Sequence, residues 1–299
     1  MRLFSKLPQK LDRGLNWRRL RVLFRKPFVL VRNARFLFPA TTSEDAHIFV
    51  VGPPRSGTTL VKNILRSHSQ IASIDDESFF FFRRNYYDLE LPDLRGERIQ
   101  SLVHKARDAV QLFDLIAREV REKKDAERFL EKTASHALRL SFILERFPES
   151  QVVFAVRDVR DGFLSAQRNP AYWASLDSSD PLRSYAETWR ESVQQYLKYQ
   201  EHEQVRLVRY ETLCEDPAPQ IRLIMRFLDQ PFQKRQLRPK EYSQTKVSEQ
   251  QGHERLGEPI SGKTIGQWKT EMKAETQNRL HEIAGEQLQA IGYPDSTAR

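Results

Sequence analysis

The sequence predicts an α/β fold in which a mainly parallel central sheet is flanked by helices on both faces. Four short runs rich in β-branched and other apolar residues predict strands at residues 48–51, 71–74, 152–156 and 205–210. Apolar residues recur at spacings of three and four, which predicts helices at residues 58–67, 98–120, 136–147, 183–201, 218–228 and 271–291. Strands that alternate with helices are typical of a parallel sheet covered on both sides.

The composition limits the possible classes of protein. A chain of 299 residues with 39% hydrophobic content can form a sizeable core. It contains no apolar run of the roughly 18 residues that a membrane-spanning helix needs. The single cysteine, Cys214, excludes an internal disulfide and a cysteine-cluster metal site. A reducing, cytoplasmic location fits these observations.

The positive charge is concentrated at the start of the chain. Residues 1–40 contain eleven Lys or Arg and one acid, Asp12, which gives +10, so the total of +9 leaves −1 for the remainder. We therefore expect a basic N-terminal arm, residues 1–40, followed by one folded domain, residues 41–299. Because the folded domain carries no basic surplus, we expect no nucleic acid as its partner.

The arm has a basic amphipathic pattern. Its apolar positions at roughly helical spacing are Leu11, Leu15, Leu20, Leu23 and Phe24. Three arginines fall toward another face, namely Arg18, Arg21 and Arg25. This pattern suits a peripheral position on an anionic membrane surface. A solvated helix that packs on its own domain and an organelle transit peptide are the alternatives.

The first predicted strand runs into the sequence VVGPPRSGTT, residues 50–59. Its glycines, Gly52 and Gly57, have the spacing of a phosphate-binding loop, G-x-x-x-x-G-K-[ST], but Thr58 stands where that pattern has lysine. The cation lies inside the loop, as Arg55. A loop between a strand and a helix can bind an anion through backbone N–H groups. A plain strand-to-helix turn is the alternative.

A second cation follows the third predicted strand. Arg157 comes directly after that strand, and Ser165 follows eight residues later. A strand-end guanidinium and a hydroxyl in the next helix can converge on one phosphate group. A surface ion pair of Arg157 with Asp158 or Asp161 is the alternative.

Five segments together, in the same order, resemble motifs of sulfotransferases that use 3′-phosphoadenosine 5′-phosphosulfate (PAPS). They are PRSGTTL at 54–60, LEKTASHALRLSFILERFP at 130–148, VRDVRDGFLSAQRN at 156–169, VRYETLCEDPAPQIRLIMRFLD at 208–229 and TIGQWK at 264–269. The motifs are most similar to those of bacterial sulfotransferases and tyrosylprotein sulfotransferases. The resemblance spans roughly residues 47–293 and implies a P-loop-like sulfotransferase domain. It also implies in-line transfer of a sulfuryl group from PAPS to an acceptor hydroxyl without a metal.

The resemblance also implies roles for individual residues. Arg55 would grip the 5′-phosphosulfate, and the residues that complete this cradle would be Ser56, Gly57, Thr58 and Thr59. Arg157 and Ser165 would bind the 3′-phosphate, and Lys132 would neutralise the bridging oxygen as the phosphate leaves. The remaining nucleotide contacts would be Tyr210 and Lys263, the latter near the place where cytosolic members have an Arg-Lys-Gly triplet.

The acceptor side is less defined. The segment IDDESFFFFRR, residues 74–84, offers Asp76 and Glu77 as candidates for the catalytic base. Counting from Arg55 favours Asp76, whereas the pattern of an acid before aromatics favours Glu77. The run Phe79–Phe82 is either core or the wall of an acceptor pocket. We interpret His136 as structural.

Two other classes of function remain open at this stage. A P-loop kinase or triphosphatase would need a strand-end Asp for Mg²⁺, but two of the strands lead into Arg157 and Tyr210 instead. A non-catalytic protein could act through its basic arm on a membrane or nucleic acid. The presence of Arg55, Lys132 and Ser165 favours the enzyme. Its acceptor is a saccharide, a lipid, a peptide tyrosine or a small metabolite.

Overall fold

The computed structural model describes residues 27–238 and 260–294. A five-stranded parallel sheet forms its centre, with the strand order β2-β3-β1-β4-β5. The strands are β1 Ile48–Val51, β2 Ile71–Ser73, β3 Arg128–Lys132, β4 Gln151–Val156 and β5 Val205–Arg209. The predicted α/β class is confirmed.

Helices cover this sheet. Those of the described ranges are α1 Pro27–Leu37, α2 Thr58–Arg66, α3 Gly96–Lys105, α4 Ala109–Lys124, α5 Leu140–Arg146, α6 Val159–Gln167, α7 Pro170–Trp173, α8 Pro181–Lys198, α9 Tyr210–Glu215, α10 Pro217–Phe227, α11 Trp268–Glu271 and α12 Ala274–Ala290. Short 3₁₀ turns lie at Phe80–Phe82, Ala134–Arg139 and Lys234–Leu237.

The burial of β1 shows why both faces of the sheet are covered. All four of its residues are fully buried. Ile48 and Val50 pack in an apolar cluster with residues of α2 and α10, whereas Phe49 and Val51 pack in a second, larger cluster with residues of α4 and α8. Successive side chains of a strand point to opposite faces, so each face of β1 meets its own layer of helices.

Two sequence-based expectations about the elements are wrong. Strand β3 was not predicted, because three of its five residues, Arg128, Glu131 and Lys132, are charged. The single helix predicted at 98–120 is instead two helices, since α3 ends at Lys105 and α4 begins after Asp108. The Asp108 side chain accepts a hydrogen bond from the amide of Gln111 at 3.1 Å and so caps α4.

The basic arm is described only in part. Its amphipathic positions, between residues 11 and 25, lie outside the described residues. Helix α1 packs on the domain through Phe36, which is buried, and the Asn33 side chain donates to Asn85 at 2.9 Å. Val31 of the same helix and Phe38, the residue directly after its end, are exposed. In the described ranges, every helix is too short or too polar to span a bilayer.

The parallel arrangement brings four strand ends to one edge. The loop after β1, Lys132 at the end of β3, Arg157 after β4 and Tyr210 after β5 all lie at the carboxyl ends of neighbouring strands. The chain order reverses between β3, β1 and β4, and open α/β sheets bind ligands at such a point.

Candidate active site

The loop between β1 and α2 depends on its two glycines. Gly52 and Gly57 have φ angles of 151° and 82°. A Cβ on Gly52 would lie 2.0 Å from the carbonyl oxygen of Ala155, and one on Gly57 would lie 2.5 Å from the Tyr210 ring. The Gly52 amide donates to the Ala134 carbonyl at 3.1 Å. These close contacts fix the loop against β4, α9 and the segment after β3.

The loop arginine reaches the helix that follows β4. Arg55 adopts a left-handed conformation with φ of 63°, and its Nε donates to Ser165 Oγ at 3.2 Å. The structure therefore brings together two residues that the sequence resemblance assigns to different phosphate groups. Ser56 of the same loop is buried, and so are Thr58 and Thr59 at the start of α2.

Arg157 lies in the interior of the site. Its side chain is 7% exposed, its Nη2 donates to the Thr264 carbonyl at 2.6 Å, and its guanidinium lies 4.6 Å from the Tyr210 ring centre. The Tyr210 hydroxyl lies 3.0 Å from Thr264 Oγ1. The alternative of a surface ion pair is wrong in its location: Asp158 pairs with Arg160, and the ion pair of Arg157 with Asp161, at 4.0 Å, is buried.

Asp161 holds the late segment against the site. Its carboxylate accepts hydrogen bonds from the backbone amides of Gly266 at 2.6 Å and Trp268 at 3.0 Å. Burial raises the pKa of Asp161, although these two amides and the charge of Arg157 oppose the shift. Residues 264–268 are thereby tied to α6 and to Arg157.

Several buried polar atoms of the described residues lack a hydrogen-bond partner, and two of them belong to residues of the predicted phosphate site. Ser56 Oγ and Arg157 Nε accept or donate no hydrogen bond within the described residues. Leaving such a buried group unsatisfied costs about 1–3 kcal/mol. Both residues were assigned to phosphate groups by the sequence, and phosphate oxygens would satisfy both atoms. The donor set therefore fits a ligand that carries phosphate groups.

Two of the predicted catalytic side chains, Lys132 and Glu77, are in contact. Lys132 Nζ lies 2.6 Å from Glu77 Oε1, and the two side chains are 7% and 27% exposed. Asp76, the alternative base, is half-buried and makes no hydrogen bond within the described residues. It lines an open cavity of about 450 Å³ whose other lining residues are Ile74, Glu77, Glu90, Leu91 and Pro92.

A buried polar network lies beneath this segment. Glu131, fully buried, accepts hydrogen bonds from Ser78 at 2.7 Å and Thr133 at 2.6 Å, and it contacts His136 Nδ1 at 2.9 Å. His136 Nε2 accepts from the amide of Phe81 at 3.2 Å. Burial alone would raise the pKa of Glu131, but these contacts outweigh it and lower the pKa. Both ring nitrogens of His136 are engaged, as expected for a structural residue.

Comparisons with known proteins identify the family of this chain. The family model described as "Sulfotransferase family" matches residues 47–234. This chain belongs to the sulfotransferase family. Membership of this family indicates an enzyme and argues against the kinase or triphosphatase and the non-catalytic alternatives.

Individual relatives are distant in sequence. A Drosophila melanogaster protein-tyrosine sulfotransferase is 24% identical over 267 residues, which are 82% of this chain and 51% of that protein. The chain thus spans about half the length of this curated relative. The sulfotransferase domain of the Synechococcus PCC 7002 olefin synthase superposes with a TM-score of 0.65 at 18% identity, over 86% of this chain and 98% of that one.

A mouse relative shares the same fold. Mouse sulfotransferase SULT7A1, solved in complex with PAP, superposes with a TM-score of 0.54 at 12% identity. The match covers 90% of this chain and 91% of the mouse chain. At such identities the two solved structures establish a common fold for this sulfotransferase.

The aromatic run of the sulfotransferase is divided between core and surface. Phe80 and Phe81 are buried, whereas Phe79 is 49% exposed. Tyr172 is half-buried near the loop arginine. Burial raises the pKa of Tyr172 to about 12, and the charge of Arg55 partly opposes that shift. Phe80 and Phe81 are therefore core residues, and a role of the run in an acceptor wall stays a prediction for the others.

One charged residue of the site was missed by the sequence analysis. Lys62 of α2 is 2% exposed, and its ammonium donates to the carbonyl of Asp75. Burial lowers its pKa to about 7, and the charges of Lys132 and Arg66 add to the effect. The available signal was a lysine between Val61 and Ile64, which are both buried core residues.

Lys263 is the predicted residue with the least support from the geometry. Its side chain is exposed, whereas its neighbour Thr264 contacts Arg157 and Tyr210. Its role in binding a 3′-phosphate stays a prediction.

Proposed function

We propose that this sulfotransferase moves a sulfuryl group from PAPS to a hydroxyl group of an acceptor. The main support is that two groups of residues lie at one edge of the sheet. The first contains the unpartnered atoms Ser56 Oγ and Arg157 Nε, and the second is the contacting pair Lys132 and Glu77. The first set suits the donor nucleotide, and the second suits proton removal and leaving-group stabilisation. The mouse relative that was solved with PAP supports the choice of nucleotide.

The donor contacts follow from the loop geometry. The 5′-phosphosulfate would lie at the start of α2, where backbone N–H groups and the helix dipole favour an anion. The side chains and backbone proposed to hold it are Arg55, Ser56, Gly57, Thr58 and Thr59. Arg157 and Ser165 would hold the 3′-phosphate, with Tyr210 and Lys263 completing the nucleotide site.

The proposed transfer is an in-line displacement at sulfur. The acceptor oxygen forms a bond to sulfur while the bond from sulfur to the bridging oxygen breaks, and its electron pair stays on the 5′-phosphate. The acceptor proton passes to Glu77, with Asp76 as the alternate base. Lys132 and Arg55 stabilise the charge on the bridging oxygen. We propose that these cations serve in place of Mg²⁺.

The acceptor would enter beside the Lys132–Glu77 pair, where the cavity of about 450 Å³ opens. The candidate acceptors are saccharides, lipids, peptide tyrosines and small hydroxylated metabolites. Resemblance to the Drosophila protein-tyrosine sulfotransferase favours a phenolic hydroxyl as the first class to examine.

The test combines binding and product formation. Calorimetry in EDTA should show that 3′-phosphoadenosine 5′-phosphate binds much more tightly than AMP. Incubation with ³⁵S-labelled PAPS and one acceptor of each class should yield a labelled product in EDTA. Equal affinity for AMP would refute the 3′-phosphate assignment, and loss of product on metal removal would refute the metal-free transfer.

We also propose a peripheral position at the cytoplasmic face of an anionic membrane. The +10 charge of residues 1–40 supports it, and so do two exposed apolar residues, Val31 of α1 and Phe38 directly after α1. Deleting residues 1–26 spares the packed helix α1 and should reduce sedimentation with phosphatidylserine vesicles. Equal sedimentation of the full-length and shortened proteins would contradict this proposal.

A further inference from the structure

The segment that carries the two candidate bases has no regular structure. It starts after β2 ends at Ser73 and leads to the 3₁₀ turn at Phe80–Phe82. Its later part is held by the Glu131 network, which binds Ser78 and the amide of Phe81 through His136. Its earlier part must be held by other groups, because irregular backbone has no ladder of its own hydrogen bonds.

Asp75 is the anchor of that earlier part. Its amide donates to Asp93 Oδ2 at 2.9 Å, and its carboxylate accepts from Arg66 Nη1 at 2.9 Å. Its carbonyl accepts from Lys62 Nζ. Side chains from two other parts of the chain thus bind every polar group of the residue that directly precedes Asp76 and Glu77.

Two of these three side chains come from α2. Lys62 lies four residues, about one helical turn, after Thr58, with which the helix begins. The same helix therefore ends the donor loop and, one turn later, holds the acid segment. An interior ammonium is costly unless its contacts compensate the lost hydration. Lys62 is buried beside another cation, Lys132, so simple filling of the core does not account for a lysine here.

We propose that Lys62 is a positioning residue for the acceptor base. From its place on α2 it binds the Asp75 carbonyl, and this contact fixes the position of Glu77 relative to the donor loop. The inference rests on the proposed function, because it takes Glu77 as the group that accepts the proton. Lys62 touches neither the donor nor the acceptor in this scheme. Its contribution is to the alignment of Glu77 with the sulfur.

The central experiment compares Lys62→Met, which has similar length but no donor, with Lys62→Arg, which keeps a donor and a charge. A misplacement of about 1 Å can cost about 10²-fold in rate. We expect Lys62→Met to lower kcat about 10- to 100-fold and to change the Kd of 3′-phosphoadenosine 5′-phosphate less than about threefold. Lys62→Arg should recover most of the lost kcat.

A second readout does not depend on turnover. Hydrogen exchange of the free protein should become faster in Lys62→Met for the amides of residues 74–79, but not for those of the loop at 52–57. Arg66→Met leaves the Lys62 contact in place and should produce the same local change to a smaller extent. It also tests the anchor if Lys62→Met fails to fold.

Arg128→Met is the matched control, because Arg128 is also a buried cation that binds backbone carbonyls, those of Ala46 and Leu228, at the other end of β3. It should lower thermal stability and leave kcat unchanged at a temperature where it is folded. The inference is wrong if Lys62→Met keeps the parental kcat, or if its defect is in nucleotide binding. It is also wrong if exchange at 74–79 does not change. An inactive parent protein would instead refute the proposed function, and the exchange comparison would still decide the role of Lys62.

Discussion

The donor side and the acceptor side of the site are built in different ways. The donor side uses strand ends and a helix start, and its residues Arg55, Ser56 and Arg157 lie at fixed places next to regular elements. The acceptor side uses irregular backbone after β2, which is held by side chains such as Lys62 and Glu131. The first depends on backbone geometry, whereas the second depends on buried polar contacts between segments that are distant in sequence.

This difference predicts two kinds of response to substitution. Changes on the donor side should weaken nucleotide binding, because the side chains there are the ones proposed to contact the nucleotide. Changes on the acceptor side should lower turnover while nucleotide binding persists. Lys132 and Glu77 are one place where the two sides meet, with their side chains 2.6 Å apart.

The largest expected effect is that of Glu77→Gln. A positioned base typically contributes about 10²–10⁴-fold to the rate, so we expect kcat to fall by that factor. The affinity for 3′-phosphoadenosine 5′-phosphate should stay near that of the parent. Asp76→Asn is the control, since Asp76 makes no hydrogen bond within the described residues. Parental turnover in Glu77→Gln with loss in Asp76→Asn would transfer the role to Asp76.

Arg157→Ala should have the next largest effect, on binding alone. The hydrogen bonds of a charged group contribute about 1.5–3 kcal/mol, so calorimetry should show this loss for 3′-phosphoadenosine 5′-phosphate. Affinity for AMP, which lacks the 3′-phosphate, should change little. Arg206→Ala, on the exposed side of β5, is the matched control. A similar loss for both nucleotides would show that Arg157 acts on the loop and not on the 3′-phosphate.

Lys62 gives a prediction about pH and stability. Burial lowers its pKa from 10.5 to about 7, and the charged groups around it are Lys132, Arg66, Asp75 and Glu77. Between these two values the unfolded chain binds more protons at this site. The unfolding free energy should therefore rise with pH by up to about 1.4 kcal/mol per unit. Below about pH 7 the contribution is constant.

The comparison of the parent with Lys62→Met isolates this contribution, because all other titrating groups are shared. Urea unfolding at several values between pH 7 and 10 should show that the stability of the parent increases relative to the variant. A constant difference would mean that Lys62 is charged throughout this range.

The smallest expected effect concerns acceptor charge. The cavity is lined by Asp76, Glu77 and Glu90, of which Glu90 is exposed. Glu90→Gln should improve kcat/KM for an anionic acceptor relative to a neutral one by less than about 1 kcal/mol, the range of exposed charge pairs. The ratio for the two acceptors is the measurement. An unchanged ratio would mean that the acceptor does not pass close to Glu90.

More of the donor side than of the acceptor side could be predicted from the sequence. A glycine with positive φ, or an arginine at a strand end, is tied to the local chain, and such residues have a recognisable spacing. Strand β3 was missed because its charged side chains have partners that are distant in sequence. Arg128 donates to the carbonyls of residues 46 and 228, and Glu131 accepts from Ser78. Lys62 was missed for the same reason, since its partner is a backbone carbonyl thirteen residues away.

The choice between Asp76 and Glu77 could not be made from neighbouring sequence alone. Both residues follow β2, and their order says nothing about which of them reaches β3. The structure places Glu77 against Lys132, which depends on the pairing of β2 with β3 across more than fifty residues. The position of Glu77 next to Lys132 therefore follows from the order of the strands in the sheet.

The central place of β1 in the sheet has a consequence for the synthesis of the protein. Ile48 pairs with Leu130 of β3 and Gln151 of β4, so both neighbours of this strand are made long after it. At a synthesis rate of about 5–20 residues per second, β1 waits roughly 5–20 seconds for them. During that time the ribosome presents a wholly apolar strand, Ile-Phe-Val-Val, without its partners. The sheet, and with it the edge that carries the candidate site, can therefore form only after β4 has been synthesised.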